Sequence, residues 1–490
     1  MRWALVALLL LSPALSAAAH PGHADEPTAT KPAPAPAPTP AEPSPWTGPV
    51  QPGPWPPPPN ATGNATNTTK GSKAAAPIAL TYDPIVGGAG GREWLGFKAD
   101  AQRTGASAAR PPTAPAKKWD AKGQPGYGIA SEPVVAHNLV LFADLGRKVY
   151  ALDVGTSFKR WTVDVPGRVL AGLAVDDDTL IVACADGVVL GLHVLTGTER
   201  WNVSLGQRVS AAPLVANGIV YVVGEAGRVT ALEAPSGAWR WNATLGPVQG
   251  GVAPLLMAGR VLVGLASGQV VALQPLTGAT LWTASVGAPV TATPVGALGR
   301  VIVPNLGLTA LDPNSGRVVW TKPAGAFLRS SPAAGQGMLV YGDPEGPGLM
   351  AADAFSGEPR WHAALTTFVE TAPVIAGDVA MAAALDGTVA GFAVRNGTAL
   401  WTADAGERVR TSPLALDGRV LVARVDGTLR MLGDADVTAA TADDAAAAPA
   451  RGDSFLSLLP VFAAIAAPYV LVKRVRDRMA RQAKSAEDAL

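Results

Sequence analysis

Eight tryptophans recur along the chain at nearly constant spacing, and this period constrains the fold more than any other feature of the sequence. Neighbouring members of the series lie 38 to 42 residues apart. The series is Trp119, Trp161, Trp201, Trp241, Trp282, Trp320, Trp361 and Trp401. A repeat of this length is one supersecondary unit that buries its apolar faces only against its neighbours. A single repeat architecture is therefore expected.

Each repeat contains the same succession of short apolar runs and turns. A segment ending in Ser/Ala-x-Pro-x-Val leads into an alternating apolar run, such as residues 218–224 (GIVYVVG), which is followed by a tight turn. A third run ends in Ala-Leu-Asp, and a second turn precedes the Trp. Turn dipeptides such as Asp186-Gly187 tolerate the positive φ values that tight hairpins need. Four short strands per unit predict a β-propeller blade.

The number of repeats predicts how the ring closes. Eight three-strand segments begin near residues 126, 167, 207, 247, 286, 325, 366 and 406, but only seven are followed by their own Trp strand. The last segment ends without a Trp, whereas Trp119 has no such segment before it. We predict an all-β, eight-bladed propeller with four-stranded antiparallel blades. Residues 115–121 are expected to supply the outer strand of the final blade and so to remove an open edge.

The motif Ala-x-Asp-x-x-Ser/Thr-Gly-x-x-x-Trp, as in Ala310–Trp320, resembles the pyrroloquinoline-quinone (PQQ) repeat. That repeat occurs in quinoprotein dehydrogenases and in non-catalytic, BamB-like propellers. The resemblance covers roughly residues 94–432, because the lead-in segment REWLGFKADAQRTG is also similar to that family. It implies that each of the eight tryptophans docks between neighbouring blades and is therefore a structural residue.

Composition argues against several kinds of site. Lysine plus arginine (39) nearly cancels aspartate plus glutamate (38), so no nucleic-acid partner is expected. The single cysteine, Cys184, cannot form an internal disulfide, and its apolar surroundings favour a buried small residue. The run Asp176–Asp178 lies at an expected hairpin turn and lacks the ligand spacing of a calcium loop. No catalytic residue and no metal ligand is assigned.

The family resemblance leaves an enzyme as the alternative. A quinoprotein of this family needs calcium, an aspartate base and often a vicinal disulfide, and this chain cannot form the disulfide. No long inserted loop between blades is visible to cover a cofactor. We therefore expect no cofactor; PQQ with calcium belongs to the alternative that the protein is a quinoprotein oxidoreductase. A second alternative is glycan or solute binding.

Arginine is concentrated at two positions, five and three residues before the proline of each repeat or its equivalent. The candidate binding residues at these positions are Arg168, Arg208, Arg329, Glu370, Arg408 and Arg410. Both positions have the same strand parity and are expected on one face of an inner strand that lines the channel. One interpretation is an electropositive funnel for an anionic ligand or an acidic partner segment. The other is an ion-pair network around a wet channel, and Glu370 is expected to pair with Arg329, Arg410 or both.

The two ends of the chain predict export and membrane anchoring. Residues 1–19 read as a signal peptide, and residues 454–472 contain an apolar run followed by basic residues, which is typical of a transmembrane helix with a cytoplasmic flank. The predicted order of segments is signal peptide (1–19), Pro/Ala/Thr-rich stalk (20–76), lead-in segment (77–114), propeller (115–433), Ala/Asp-rich linker (434–453), transmembrane helix (454–472) and basic cytoplasmic tail (473–490).

These segments predict a single-pass protein of the cell membrane with its propeller outside the cytoplasm. Asn-x-Ser/Thr sequons make glycosylation candidates of Asn60, Asn64, Asn67, Asn202, Asn242 and Asn396. The resulting hypothesis is a scaffold at the cell surface for protein interaction or assembly, whose protein partner the sequence does not identify.

Overall fold

The computed structural model describes residues 93–435, which form eight β-sheets arranged as the blades of a propeller. Two strands, β1 (Ala106–Ser107) and β2 (Ala116–Lys122), precede the first blade. The predicted signal peptide, stalk, transmembrane helix and tail, with all but the first two residues of the linker, lie outside the described residues. Between residues 93 and 435, no helix has the length and apolarity needed to cross a bilayer.

Blades 1 to 4 each consist of four consecutive strands, given from the innermost to the outermost. They are β3 (Val134–Ala136), β4 (Leu139–Ala143), β5 (Lys148–Asp153) and β6 (Lys159–Asp164); β7 (Ala174–Asp176), β8 (Thr179–Ala183), β9 (Val188–His193) and β10 (Glu199–Ser204); β11 (Leu214–Ala216), β12 (Ile219–Val223), β13 (Arg228–Glu233) and β14 (Trp239–Thr244); β15 (Leu255–Met257), β16 (Arg260–Gly264), β17 (Gln269–Leu273) and β18 (Thr280–Ser285).

Blades 5 to 7 follow the same order, and blade 8 contributes three strands of its own. They are β19 (Val295–Ala297), β20 (Arg300–Asn305), β21 (Gly307–Leu311) and β22 (Val318–Pro323); β23 (Ala333–Gly335), β24 (Met338–Gly342), β25 (Gly348–Asp353) and β26 (Pro359–Ala364); β27 (Val374–Ala376), β28 (Val379–Ala383), β29 (Thr388–Ala393) and β30 (Ala399–Asp404); β31 (Leu414–Leu416), β32 (Arg419–Ala423) and β33 (Thr428–Gly433).

Blade 8 closes the ring as the sequence predicts. Its fourth strand is β2, which pairs antiparallel with β33, so that Trp119 lies opposite Met431. Arg430 adds a two-pronged ion pair to Asp120, with both N–O distances at 2.7 Å. The eight-bladed architecture with four-stranded antiparallel blades is therefore confirmed, and β1 adds a fifth strand to the sheet of blade 7 by pairing parallel to β27. The closing strand spans residues 116–122 where residues 115–121 were expected.

The recurrent motif builds the contact between one blade and the next. Asp312 accepts a hydrogen bond of 2.8 Å from the Ser315 amide and so caps the turn between β21 and β22. Gly316 follows with a φ of 72°, and a Cβ atom there would lie 2.6 Å from Trp282 of the preceding blade. The Trp282 indole donates a hydrogen bond to Pro313 O at 3.0 Å. The aspartate, the glycine and the tryptophan together form one joint between two blades.

Seven of the eight tryptophans make this joint. The donor and acceptor residues are Trp119 and Val154, Trp161 and Val194, Trp201 and Ala234, Trp241 and Pro275, Trp282 and Pro313, Trp320 and Phe355, and Trp361 and Val394. The exception is Trp401 of blade 7, whose buried Nε1 has no partner among the described residues. The matching turn of blade 8 does not exist as a continuous turn, because the chain leaves the ring after β33 and blade 8 takes its outer strand from β2.

Turns and loops divide the ring into two faces. The turns between the first and second strands and between the third and fourth strands meet on one face, as in the bond from Val194 N to Asp178 O at 2.9 Å. The remaining turns and the loops between blades meet on the other, as in the bond from Ala185 N to Arg168 O at 2.7 Å. We call the first the plugged face and the second the open face.

Residues 94–110 of the predicted lead-in segment (77–114) close the centre of the plugged face, and we call this stretch the plug. Its carbonyl groups accept hydrogen bonds from the innermost strand of six blades and from the first turn of blade 8. The plug residues and their donors are Trp94 and Val135, Leu95 and Val175, Ala101 and Leu256, Gln102 and Gly296, Thr104 and Ala334, Gly105 and Ile375, and Arg110 and Gly418. Blade 3 is reached by the Arg103 side chain, which donates to Pro213 O at 2.9 Å. One short segment thus contacts every blade.

Candidate functional site

The six candidate residues lie on the open face, in the loops between blades. They do not lie within the innermost strands, as we expected, because each of these strands begins after the proline of its repeat and is only three residues long. Buried and exposed side chains nevertheless alternate along these loops. Val169, Val209 and Val409 are buried, while the arginines next to them are exposed. We call the side chains at these two positions, taken over the eight repeats, the two columns of candidate positions. They form a rim around the mouth of the channel.

The rim is chemically polarised. Arg408 and Arg410 lead into blade 8, Arg168 leads into blade 2 and Arg208 leads into blade 3, so one arc of the ring is basic. At the positions corresponding to Arg168, blades 6 and 7 carry Phe327 and Phe368, which are 44% and 43% exposed. Exposed aromatic side chains thus lie on another arc of the rim.

Two ion pairs lie on this rim. Arg329 and Glu370 approach to 3.2 Å, as expected from their positions in neighbouring repeats. They line a small cavity of about 140 Å³ together with Phe368. Arg208 lies 3.1 Å from Glu225, a residue outside the two columns of candidate positions. The ion-pair interpretation accounts for these two arginines.

The other three arginines of the rim are unpaired. The side chains of Arg168, Arg408 and Arg410 make no hydrogen bond or ion pair with any residue from 93 to 435. The expected pairing of Glu370 is therefore with Arg329, not with Arg410. Three uncompensated guanidinium groups give the basic arc an excess of positive charge and leave their donors free for a bound molecule.

A larger groove lies within the basic arc, between blades 1, 2 and 3. It has a volume of about 530 Å³, and its lining includes Tyr127, Arg147, Arg168, Asp186 and Arg208. The two columns of candidate positions do not include Tyr127 or Arg147, because Arg147 lies in the turn between the second and third strands of blade 1. An alignment of that turn across the repeats would have singled out Arg147, since most blades carry glycine at the same position.

A narrower ring of residues lies deeper in the channel, next to the plug. It consists of the residue before the proline of each repeat, or before the equivalent Leu173 in blade 2: Glu132, Gly172, Ala212, Ala253, Thr293, Ser331, Ala372 and Ser412. Hydrogen bonds join some neighbours, such as Ala253 N to Thr293 Oγ1 and Thr293 N to Ser331 Oγ, both at 2.9 Å. Burial raises the pKa of Glu132 to about 7, although the nearby charge of Arg103 acts in the opposite direction.

The plug brings two buried basic side chains to this level, and burial lowers the pKa of one of them, Lys98, to about 7. Lys98 and Arg103 are 1% and 2% exposed. Lys98 Nζ donates to Pro332 O, and Arg103 donates to Phe97 O, Pro213 O and Pro254 O at 2.7 to 3.0 Å. Since backbone carbonyl groups satisfy these side chains, they hold the plug in place and are not presented to the open face.

The donor groups of the described residues do not suit calcium. Calcium takes six to eight oxygen ligands, whereas among residues 93–435 no three His, Cys, Asp or Glu side chains form a group that could hold a metal. Glu370, a carboxylate at the mouth, is already paired with Arg329. Cys184 is buried, as expected, and burial raises the pKa of its thiol to about 11.

The remaining sequence candidates are scattered over the surface. Asn202 and Asn242 are exposed on the outer strands of blades 2 and 3, and Asn396 is exposed in a turn on the plugged face. Asn60, Asn64 and Asn67 lie outside the described residues. Asp177 and Asp178 form the hairpin turn between β7 and β8, where Asp178 pairs with Arg200 at 2.5 Å.

The ring, its tryptophan joints and its closing strand define an eight-bladed propeller of the PQQ-repeat class. A family model described as outer membrane protein assembly factor BamB matches residues 101–245, 145–306 and 304–444. The chain belongs to this family, and the resemblance seen in its repeat motif is confirmed.

Solved structures share the fold at low identity. The structure of BamB from Moraxella catarrhalis is 20% identical, with a TM-score of 0.55, and the match covers 66% of this chain and 100% of that one. Quinohemoprotein alcohol dehydrogenase from Comamonas testosteroni is 16% identical, with a TM-score of 0.59, and the match covers 74% and 82% of the two chains. The computationally designed Ika8 protein is 17% identical, with a TM-score of 0.57 and coverage of 64% and 98%. No curated protein matches the sequence.

Proposed function

We propose that the protein is a membrane-anchored, extracytoplasmic scaffold that binds a protein partner on the open face of its propeller. The observation that carries the proposal is the rim, where unpaired arginines and exposed aromatic rings surround one mouth of the channel. Arginine and aromatic residues are enriched in protein interfaces and dominate their binding energy. A rim of this composition suits a protein partner.

The ends of the described chain support this choice of face. Trp94 pairs with Val135 in the plug, and Asp434 N donates to Gly418 O at 3.2 Å, so both ends lie on the plugged face. The predicted transmembrane helix, residues 454–472, comes later in the sequence, after the predicted linker of residues 434–453. Because the described chain ends on the plugged face, its two ends leave the open face unobstructed.

The family supports a role in assembly. The matching model is described as outer membrane protein assembly factor BamB. The similarity to a quinohemoprotein alcohol dehydrogenase points to a PQQ-dependent oxidoreductase as the alternative. The arginine-rich mouth offers calcium few carboxylate ligands, so the scaffold is the better-supported function. Glycan or solute binding at the rim is a second alternative.

Site-specific photocross-linking of the full-length protein in its membrane tests the proposal. A photoreactive residue at Phe327 or Phe368 on the open face is expected to capture a discrete protein. The matched positions are Phe158 and Phe355, which are 65% and 62% exposed on the plugged face. Capture from the plugged face alone would contradict the proposal. Dye-linked alcohol or sugar oxidation after addition of PQQ and calcium would favour the enzyme instead.

A further inference from the structure

Blade 1 carries an arginine at a turn position that is glycine in five other blades. The backbone carbonyl oxygen of Arg147 accepts a hydrogen bond from Val165 N at 2.9 Å, as that of Gly187 in blade 2 does from Leu205 N at 2.8 Å. The two residues therefore occupy equivalent positions. The corresponding glycines are Gly187, Gly227, Gly268, Gly387 and Gly427, with φ values between 79° and 95°. The φ of Arg147 is 66°. Arg147 is therefore a non-glycine residue whose backbone lies in the left-handed region.

The backbone of this turn suits glycine better than arginine. A left-handed conformation costs a residue with a side chain on the order of 1 to 2 kcal/mol. At the five glycines, a Cβ atom would lie 1.7 to 2.8 Å from a carbonyl oxygen of the adjoining loop. In blade 1 the Arg147 guanidinium reaches Pro166 O of the adjoining loop at 3.4 Å, and Pro166 and Gly167 line the groove beside it. Glycine would form this turn with less strain, so the guanidinium itself is the feature to be explained.

The groove combines this cation with an aromatic ring. Tyr127 lies against the backbone of Gly146, where a Cβ atom would be 2.9 Å from the Tyr127 ring, and it is 40% exposed. Arg147 and Arg168 line the same groove, as does Arg208. Its volume of about 530 Å³ lies within the range of ligand sites.

The acidic residues of the groove do not neutralise its arginines. Arg168 has no partner among residues 93–435, and Arg147 makes one long hydrogen bond, to Pro166 O at 3.4 Å. Arg208 is paired with Glu225. Asp186 brings a carboxylate to the lining, and its Oδ1 accepts the Val188 amide. Arg147 and Arg168 are therefore available to bind an anion.

We propose that this groove, which we call the blade 1–3 groove, binds an acidic peptide segment of the protein partner. Carboxylates of the segment pair with Arg147 and Arg168, because the planar guanidinium matches a carboxylate with two parallel hydrogen bonds. An apolar side chain of the same segment packs on Tyr127. This inference rests on the proposed function and adds to it the chemistry of the partner.

Fluorescence anisotropy with the full-length protein in detergent tests the inference. The probe is a labelled ten-residue peptide of alternating acidic and apolar residues, and the comparison peptide has Asn and Gln in place of Asp and Glu. We expect the acidic peptide to bind and its affinity to fall with increasing salt. Equal affinity for both peptides, or no binding of either, overturns the inference.

Two substitutions separate recognition from folding. Arg147→Asn keeps a residue that tolerates the left-handed region, and Arg168→Gln removes an unpaired charge. Each is expected to weaken peptide binding at least tenfold, while the melting temperature of Arg147→Asn stays unchanged or rises. The matched control is Arg395→Gln, which removes one exposed arginine from the plugged face and should not change the affinity. Unchanged affinity in both groove variants would overturn the inference.

The outcomes also distinguish this inference from the proposed function. If Phe327 and Phe368 capture a partner but Arg147→Asn and Arg168→Gln do not weaken peptide binding, the scaffold stands and the groove assignment is wrong. If no partner is captured from the open face, the scaffold proposal itself fails, whatever the peptide does.

Discussion

The plugged face and the open face use charged residues in opposite ways. On the plugged face, Arg103 is buried and donates to three backbone carbonyl groups at 2.7 to 3.0 Å. On the open face, Arg168 and Arg410 are exposed and have no partner among residues 93–435. The first arrangement uses the hydrogen-bonding capacity of arginine for cohesion of the ring, and the second leaves it free.

This difference separates the residues that hold the ring together from those that the proposed function uses. Residues that are the same in nearly every repeat, such as Gly316 and Trp282, form the joints between blades. Residues that differ between repeats, such as Arg147 and Phe368, lie on the open face and make one part of it unlike another. Changes on the plugged face should therefore affect stability, and changes on the open face should affect binding.

Deletion of residues 116–122 should have the largest effect. It removes β2, the outer strand of blade 8, and with it the Asp120–Arg430 ion pair and the Trp119 joint to blade 1. We expect the ring to lose cooperative unfolding, measured by circular dichroism during heating. Asp120→Asn is the control, since it keeps the strand and should cost about 1 to 2 kcal/mol. A cooperative transition of the deletion variant near the original temperature would show that closure is not required.

Arg103→Met should be the most damaging single change in the plug. It leaves the carbonyl groups of Phe97, Pro213 and Pro254 without their donor, so the free energy of unfolding should fall by about 3 to 5 kcal/mol. Arg208→Met on the open face removes an exposed pair and should cost less than about 1 kcal/mol. Chemical denaturation of both variants checks the contrast. Equal losses would remove the distinction between the two faces.

Glu132 should make stability depend on pH. Burial raises its pKa from 4.5 to about 7 in the folded state, so folding favours the protonated carboxyl. The resulting stabilisation is complete below the unfolded pKa of 4.5 and is lost as the pH rises through 7. We expect the free energy of unfolding to fall by up to about 3 kcal/mol between pH 5 and 8. Glu132→Gln should reduce this slope without abolishing it, because burial also raises the pKa of Asp100. An unchanged slope would show that Glu132 does not contribute to it.

Trp201→Phe and Trp401→Phe provide the finest comparison. Both tryptophans are 8% exposed, but only Trp201 donates its indole hydrogen, to Ala234 O at 2.9 Å. Trp201→Phe should therefore cost about 1 kcal/mol more than Trp401→Phe. Urea denaturation resolves a difference of this size in the transition midpoint. Identical costs would indicate that packing alone fixes the joints.

The sequence predicts the joints well because they repeat. The tryptophan period predicts eight blades, and the unmatched Trp119 predicts the closing strand. Ser157, which stands where other repeats have glycine, takes a φ of 58°, so the turn imposes its conformation even on serine.

The plug could not be predicted in the same way. Its contacts with eight blades are all distant in sequence, and Lys98 and Arg103 read as ordinary surface charges, yet both are buried. The open face could be predicted from the sequence in part, less well than the joints and better than the plug. Its arginine columns are visible in the repeats, but the groove becomes visible only when the turn of Arg147 is aligned with its counterparts in the other blades.

Hydrogen–deuterium exchange of the full-length protein, alone and with the partner recovered by cross-linking, most directly tests whether the open face is the binding face. We expect slower exchange in the open-face loops, residues 166–170, 206–210, 325–330, 366–370 and 406–410, with no change in the turns of the plugged face. Slower exchange confined to plugged-face turns such as residues 154–158 and 194–198 would show that the partner binds the other side of the ring.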